Sequence, residues 1–160
     1  AIVFSDILMV PEAMGFKVRF DEGTGPIIDN PLTTEAHAAK YDPLKQSYLP
    51  KAIAQLKREL GQTPLIGFAG APFTLACYLI EGKTSRDFRK VKSWIYSHPE
   101  TFKKWIDLLT DAVIQTLKLQ KECDALQLFD SWAEILPLHH FEAFCLSPLK
   151  KIKQALSKKQ

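Results

Sequence analysis

The chain has 160 residues, 46% of them hydrophobic and 24% charged, with a net charge of +3. That balance is enough to bury a core and excludes intrinsic disorder, and no stretch approaches the roughly 18 uninterrupted apolar residues of a membrane span. Cys77, Cys123 and Cys145 are too widely spaced for a CxxC motif and odd in number, which argues against a disulfide framework and fits a reducing, cytosolic setting.

In chain order, residues 1–5 read as a buried strand ending at Asp6. Residues 7–14 are helical or turn-like and close at Gly15; FKVRF then alternates like a short exposed strand, and DEGTGP is a loop. Pro26, Pro31 and Pro43 keep residues 23–42 extended or looped. Leu49, Ala52, Ile53, Leu56 and Leu60 mark one face of a helix over residues 44–60, stopped by Gly61.

Residues 65–68 form a short continuous apolar run, the pattern of a strand covered on both faces. Gly70 permits a sharp turn, Pro72 suits the first turn of a helix, and residues 73–80 continue that helix, so the segment is one βα unit. Loops at the carboxyl ends of such strands are where ligands usually bind. Ser85 can cap a helix reaching Tyr96, and Pro99 opens the longest helix, whose stripe from Phe102 to Leu117 is core packing. Residues 125–129 are the next strand, and helix follows from about Leu138. In the lysine-rich tail, Leu149, Ile152 and Leu156 recur at helical spacing; a solvated helix face or an anion-attracting patch both fit, and the tail alone does not point to nucleic acid.

The alternation predicts an α/β fold, parallel strands with helical crossovers. A (β/α)8 barrel places Asp6, Gly70, Asp130 and Ser131 on one face. Asp6 is either a cap on the following turn or a functional carboxylate. Tyr78 is a core tyrosine with a partnered hydroxyl or a site residue, Ser131 a helix cap or a ligand contact, and Phe68 and Phe129 packing or pocket lining. Gly82-Lys83-Thr84 copies the end of a phosphate-binding loop, but Cys77 stands where that motif needs glycine and helix precedes it. His139 and His140 are adjacent, are expected to point apart, and do not make an i, i+4 metal pair.

GFAGAPFTLACYLIEG from Gly67, IVFSDILMVPEAMG at the start, ALQLFDSWA from Ala125 and the intervening KTSRDFRKVKSWIYSHPE together resemble the uroporphyrinogen decarboxylase family. The resemblance implies a TIM barrel of which residues 1–160 are the central part of a single domain, without its N-terminal and C-terminal segments. It implies stepwise loss of CO₂ from the four acetates of uroporphyrinogen III to give coproporphyrinogen III, with no cofactor, no metal, no nucleic-acid or membrane partner, and a homodimer in the cytoplasm. By the same resemblance Asp6 and Tyr78 are catalytic: Asp6 receives the pyrrole N–H groups and Tyr78 lies near the reacting acetate. Ser131 hydrogen-bonds a substrate carboxylate, and Phe68 and Phe129 line the macrocycle's walls. Glu122, Glu134 and the short Gly-Lys-Thr turn depart from the family pattern. The arginine-rich loop and the histidine that the family supplies lie outside these residues, so the segment alone is expected to be inactive. Two rival readings are a corrinoid-related methyltransferase of the same barrel superfamily and a non-catalytic anion-binding module.

Overall fold

The computed structural model describes residues 1–3, 6–23, 25–32 and 39–157. A short helix α1 (Met9–Ala13) is followed by an antiparallel hairpin of β1 (Val18–Asp21) and β2 (Gly25–Ile28). A 3-10 turn over Pro43–Gln46 leads into α2 (Tyr48–Leu60), then β3 (Ile66–Gly70), α3 (Pro72–Glu81), α4 (Arg89–Ser97) and α5 (Pro99–Lys118). β4 (Ala125–Phe129) comes next, then α6 (Leu138–Phe141), a π-helical turn over Glu142–Leu146, and α7 (Ser147–Ser157).

β3 and β4 pair in parallel, Ile66 opposite Ala125 and Gly70 opposite Phe129. On the other side of β3, Ile2 forms a parallel bridge with Ile66, backed by Val3 N–H to Ile66 O and Ile66 N–H to Ala1 O, both 2.8 Å. Three parallel stretches therefore lie side by side in chain order, with helices in the connections. The fold is α/β, as the alternation predicts.

Along β3 successive side chains alternate between faces. Ala69 belongs to the main core beneath the helices, and a Cβ on Gly67 would point at Gln120, Leu126 and Cys123. Phe68 takes the opposite face. α3 explains why its sequence is apolar almost all round: every residue from Pro72 to Ile80 is buried except the half-buried Tyr78. Phe73, Leu75, Leu79 and Ile80 are essentially inaccessible, each contributing about 1.5–3 kcal/mol by leaving water. The α5 stripe packs against them, with Phe102 in edge contact with Phe73 at 6.3 Å and Phe144 at 4.8 Å. α3 ends where Gly82 turns left-handed (φ 83°) and its N–H reaches Tyr78 O at 2.8 Å, a helix stop rather than a phosphate loop.

A buried polar knot ties the start of the chain to α5. Gln46 Nε2 donates to Met9 O at 3.0 Å, while its Oε1 accepts from the Tyr41 phenol at 2.7 Å and the Thr116 hydroxyl at 2.8 Å. Replacing Gln46 by leucine leaves three polar groups without that partner, so urea denaturation is expected to show a loss of about 2–3 kcal/mol. A loss under about 0.5 kcal/mol would mean that the knot carries no stability.

Several expectations need correction. The opening strand is not buried along its length: Ala1 and Ile2 are exposed and only Val3 is covered, while Phe4 and Ser5 lie outside the described residues. Within residues 23–42, expected to be mostly extended or looped, the extended part around Pro26 is β2 of a two-stranded ribbon, an edge position where the missing N–H does no harm. The helix expected over residues 44–60 is broken at Ser47 into a 3-10 turn and α2, with Asp42 accepting the Leu44 N–H. Ser85 closes a turn on Phe88 N–H but does not cap α4; Glu81 Oε1 does so, accepting from Val91 N–H at 3.1 Å. His139 and His140 do not point apart: their ring centres are 4.0 Å from each other. In the tail Ile152 faces inward while Lys150, Lys151 and Lys153 are exposed, Lys151 pairing with Asp111.

β4 is half covered. Ala125, Leu126 and Gln127 are exposed, and a groove of about 450 Å³ lies between β4 and α7, lined by Leu126, Leu128, Leu149, Ile152 and Leu156 among others.

Candidate functional site

Asp6 follows the stretch that pairs with Ile66. Its Oδ1 accepts the Leu8 N–H at 2.7 Å and its backbone carbonyl accepts the Met9 N–H at 3.3 Å, so the side chain turns the backbone into α1. The carboxylate is exposed and makes no ion pair among the described residues. The cap and the available carboxylate are therefore the same group: one bond to Leu8 leaves most of its acceptor capacity free.

Tyr78 lies two turns into α3, on the one side of that helix left accessible. Burial pushes its phenol above the ordinary tyrosine range, and the nearby charge of Asp6 pushes the same way, while a hydrogen bond with the Thr84 hydroxyl opposes them. Its ring packs on Trp132 at 4.3 Å, and Phe88 packs on the other part of Trp132 at 4.9 Å. Phe88 holds a left-handed backbone (φ 51°), unusual outside glycine, so residues 83–88 form a shaped loop that presses Thr84 toward the phenol and Phe88 toward the indole.

Ser131, directly before Trp132, is exposed and its hydroxyl makes no hydrogen bond among the described residues. It caps no helix: the 3-10 turn over Ala133–Ile135 starts from Trp132 with no side-chain cap. Phe68 and Phe129 form an edge-to-face pair at 5.5 Å on the face of the sheet turned away from α5. The Tyr78 phenol thus lies within reach of the Asp6 charge, Ser131 directly precedes the Trp132 that packs on Tyr78, and the two phenylalanines form a separate apolar wall on the same sheet.

Three participants were not singled out from sequence as site residues: Thr84, Trp132 and Asp130. Asp130 ends β4 and carries its carboxylate back onto α3, where Oδ1 accepts from the Thr74 hydroxyl at 2.9 Å. The Thr74 N–H and the Cys145 thiol lie near enough to the same carboxylate to lower its pKa. Its signal in the sequence is negative: α3 begins Ala71-Pro72 and has no capping side chain of its own, so its first turn must find an acceptor elsewhere.

Burial raises the Asp130 carboxyl above the usual aspartate range, against the three donors that lower it. The folded value then exceeds the unfolded one. Below the ordinary aspartate value both states hold the proton; between the two values the unfolded chain has already released it, so stability falls as pH rises, and above both the cost is constant. D130N removes that slope. Urea denaturation across the acid range is expected to show wild type losing stability relative to D130N as pH rises through this interval; a relative gain would contradict the sign.

The nitrogen donors and thiols gather no metal: among the described residues no three of His, Cys, Asp and Glu are arranged to hold one. Burial and the charge of Asp130 push both Cys77 and Cys145 thiols up, away from the thiolate form that reacts.

Comparison with known proteins follows the same residues. The family model described as uroporphyrinogen decarboxylase matches residues 1–160. A uroporphyrinogen decarboxylase of Protochlamydia amoebophila is 44% identical over 164 residues, covering 99% of this chain and 45% of its own length. Those of Saccharophagus degradans and Vibrio vulnificus are each 41% identical, with 99% and 98% of this chain covered and 47% and 46% of theirs. The chain spans about half the length of the curated relatives it matches. With the match running from the first residue to the last, the chain belongs to the uroporphyrinogen decarboxylase family.

Proposed function

We propose that this chain is the central segment of a uroporphyrinogen decarboxylase, residues 1–160 forming part of one (β/α)8 barrel domain that removes CO₂ from the four acetates of uroporphyrinogen III. What supports the reading is that the Asp6 charge is felt at the Tyr78 phenol and that Trp132, the residue after Ser131, packs on the same ring, each near the carboxyl end of one of three parallel stretches, side by side in chain order, or of the helix after it. A closed barrel needs that order of neighbours. The exposed half of β4 and the apolar groove beside α7 suit a further strand and helix on that side.

The substrate is a reduced, flexible macrocycle with four pyrrole N–H groups. Doming converges the four donors, and an exposed carboxylate with acceptor capacity to spare can receive them; Asp6 is such a group. Phe68 and Phe129 offer an apolar wall to the ring, and the free Ser131 hydroxyl offers a bond to a peripheral carboxylate. Protonation of a pyrrole carbon makes the ring cationic. The electron pair of the breaking bond to CO₂ flows into that cation, a proton then adds to the exposed methylene to give methyl, and the ring carbon returns its proton. The substrate is its own electron sink in this scheme, so no cofactor is invoked. The fixed charge of Asp6 favours the cation, and pre-oriented groups of this kind account for about 3–4 kcal/mol of barrier each. Tyr78, held by Thr84 and Trp132, borders the same charge. The resemblance extends the reading to a homodimer in the cytoplasm; no helix among the described residues is long and apolar enough to cross a membrane.

Eight carboxylates need more cationic partners than this segment presents at the site. The purified 160-residue segment is therefore expected to form no coproporphyrinogen, while the intact protein containing it converts uroporphyrinogen III through seven-, six- and five-carboxylate intermediates, read by chromatography after oxidation. No conversion by folded intact protein would overturn the assignment.

A further inference from the structure

Asp130 stands between Phe129 and Ser131, both expected to meet substrate, yet its own carboxylate turns away from them. It accepts from the Thr74 hydroxyl at 2.9 Å, the Thr74 N–H and the Cys145 thiol lie near enough to lower its pKa, and among the described residues no lysine or arginine pairs with it. The π-helical turn over Glu142–Leu146 keeps Cys145 inside, 2% exposed, and brings its thiol to the carboxylate; one extra residue per turn re-aims a side chain in this way. An unpaired, half-buried carboxylate at the first turn of a helix is favoured there by the helix's positive end and by the free N–H groups.

Thr74 and Tyr78 are four residues apart on α3 and share one face. Trp132, two residues after Asp130, packs against Tyr78 at 4.3 Å. A closed circuit results: Asp130 to Thr74, along one turn to Tyr78, across to Trp132, and back through Ser131 to Asp130. We infer that Asp130 is a positioning residue of the site proposed above, clamping the first turn of α3 to the end of β4 so that the Tyr78 phenol and the Ser131 hydroxyl are held in fixed relation. The inference rests on the decarboxylase reading for its effect on rate, but the clamp itself is a statement about Tyr78 and Trp132.

The test uses the intact protein with T74V, D130N and D130L. T74V keeps the shape of the side chain and removes the hydroxyl; D130N keeps an acceptor oxygen for Thr74. The two readouts are kcat and KM for uroporphyrinogen, and the near-ultraviolet circular dichroism of the Tyr78–Trp132 pair, isolated as the difference from Y78F. T74V and D130L are expected to lose that difference signal and about ten-fold or more in kcat, with KM changed little, since displacing a reacting group by even an ångström is costly. D130N should retain both. If D130L does not fold, T74V decides alone. A folded T74V with the signal intact, or with the signal lost and kcat unchanged, would overturn the inference. If the wild type itself shows no turnover the decarboxylase reading fails, and the dichroism still decides whether Asp130 fixes Tyr78.

Discussion

Replacing Asp6 by asparagine in the intact protein is expected to lower kcat/KM for uroporphyrinogen by about a thousand-fold or more with little loss of thermal stability. The asparagine oxygen can still accept the Leu8 N–H that the Asp6 Oδ1 receives at 2.7 Å, so the turn into α1 survives. What disappears is the charge. A hydrogen bond to a charged acceptor is worth about 1.5–3 kcal/mol, and the amide –NH₂ would face pyrrole N–H donors with a donor of its own. Losing the equivalent of two such bonds is about 4 kcal/mol, or roughly three orders of magnitude in rate. Steady-state kinetics paired with a melting curve separate the two effects. A D6N enzyme within ten-fold of wild type would leave Asp6 as a turn cap only.

The second large effect is structural. Gly67→Val is expected to destabilise the fold by about 3–5 kcal/mol, a large part of what a domain has to lose. A Cβ at Gly67 would lie 2.6 Å from Gln120 Oε1, 2.9 Å from a Leu126 methyl and 3.1 Å from Cys123 Sγ. The Gln120 amide cannot simply move aside, because it is buried and holds both polar groups of the next residue: Oε1 accepts from Phe68 N–H and Nε2 donates to Phe68 O, each at 2.9 Å. Overpacking costs about 1–3 kcal/mol, and loss of each buried Gln120 bond about as much again. The same step unseats Phe68, which meets Phe129. Urea denaturation of the intact variant checks it. A loss below about 1 kcal/mol would show that Gln120 is not a rigid support.

The βα unit from Leu65 to Gly82 was legible because each of its transitions has a chemical cause readable in one dimension. An apolar run makes the strand, Pro72 opens the helix, and Gly82 stops it with a left-handed backbone. The long stripe of α5 was legible for the same reason. Features that depend on a partner far along the chain were not. β2 contains a proline and shows itself only when β1 lies beside it. Glu81, rather than Ser85 nearer in sequence, serves α4 because the loop folds Phe88 back on Trp132. Asp130 looks like a strand terminus until α3, more than fifty residues earlier, is seen to lack a cap. Resemblance is what favoured Asp6, Tyr78 and Ser131 as site residues, since residue type and spacing alone left Asp6 an equally good structural use and Tyr78 and Ser131 a better one.

The most direct measurement is a crystal structure of the intact protein grown anaerobically with coproporphyrinogen III, the expected product. The expected complex holds a domed macrocycle whose four pyrrole nitrogens lie within hydrogen-bonding distance of the Asp6 carboxylate, with Tyr78 and Ser131 at its rim and Phe68 and Phe129 along its face. A macrocycle bound elsewhere, or one bound here with Asp6 still engaged only by the Leu8 N–H, would contradict it.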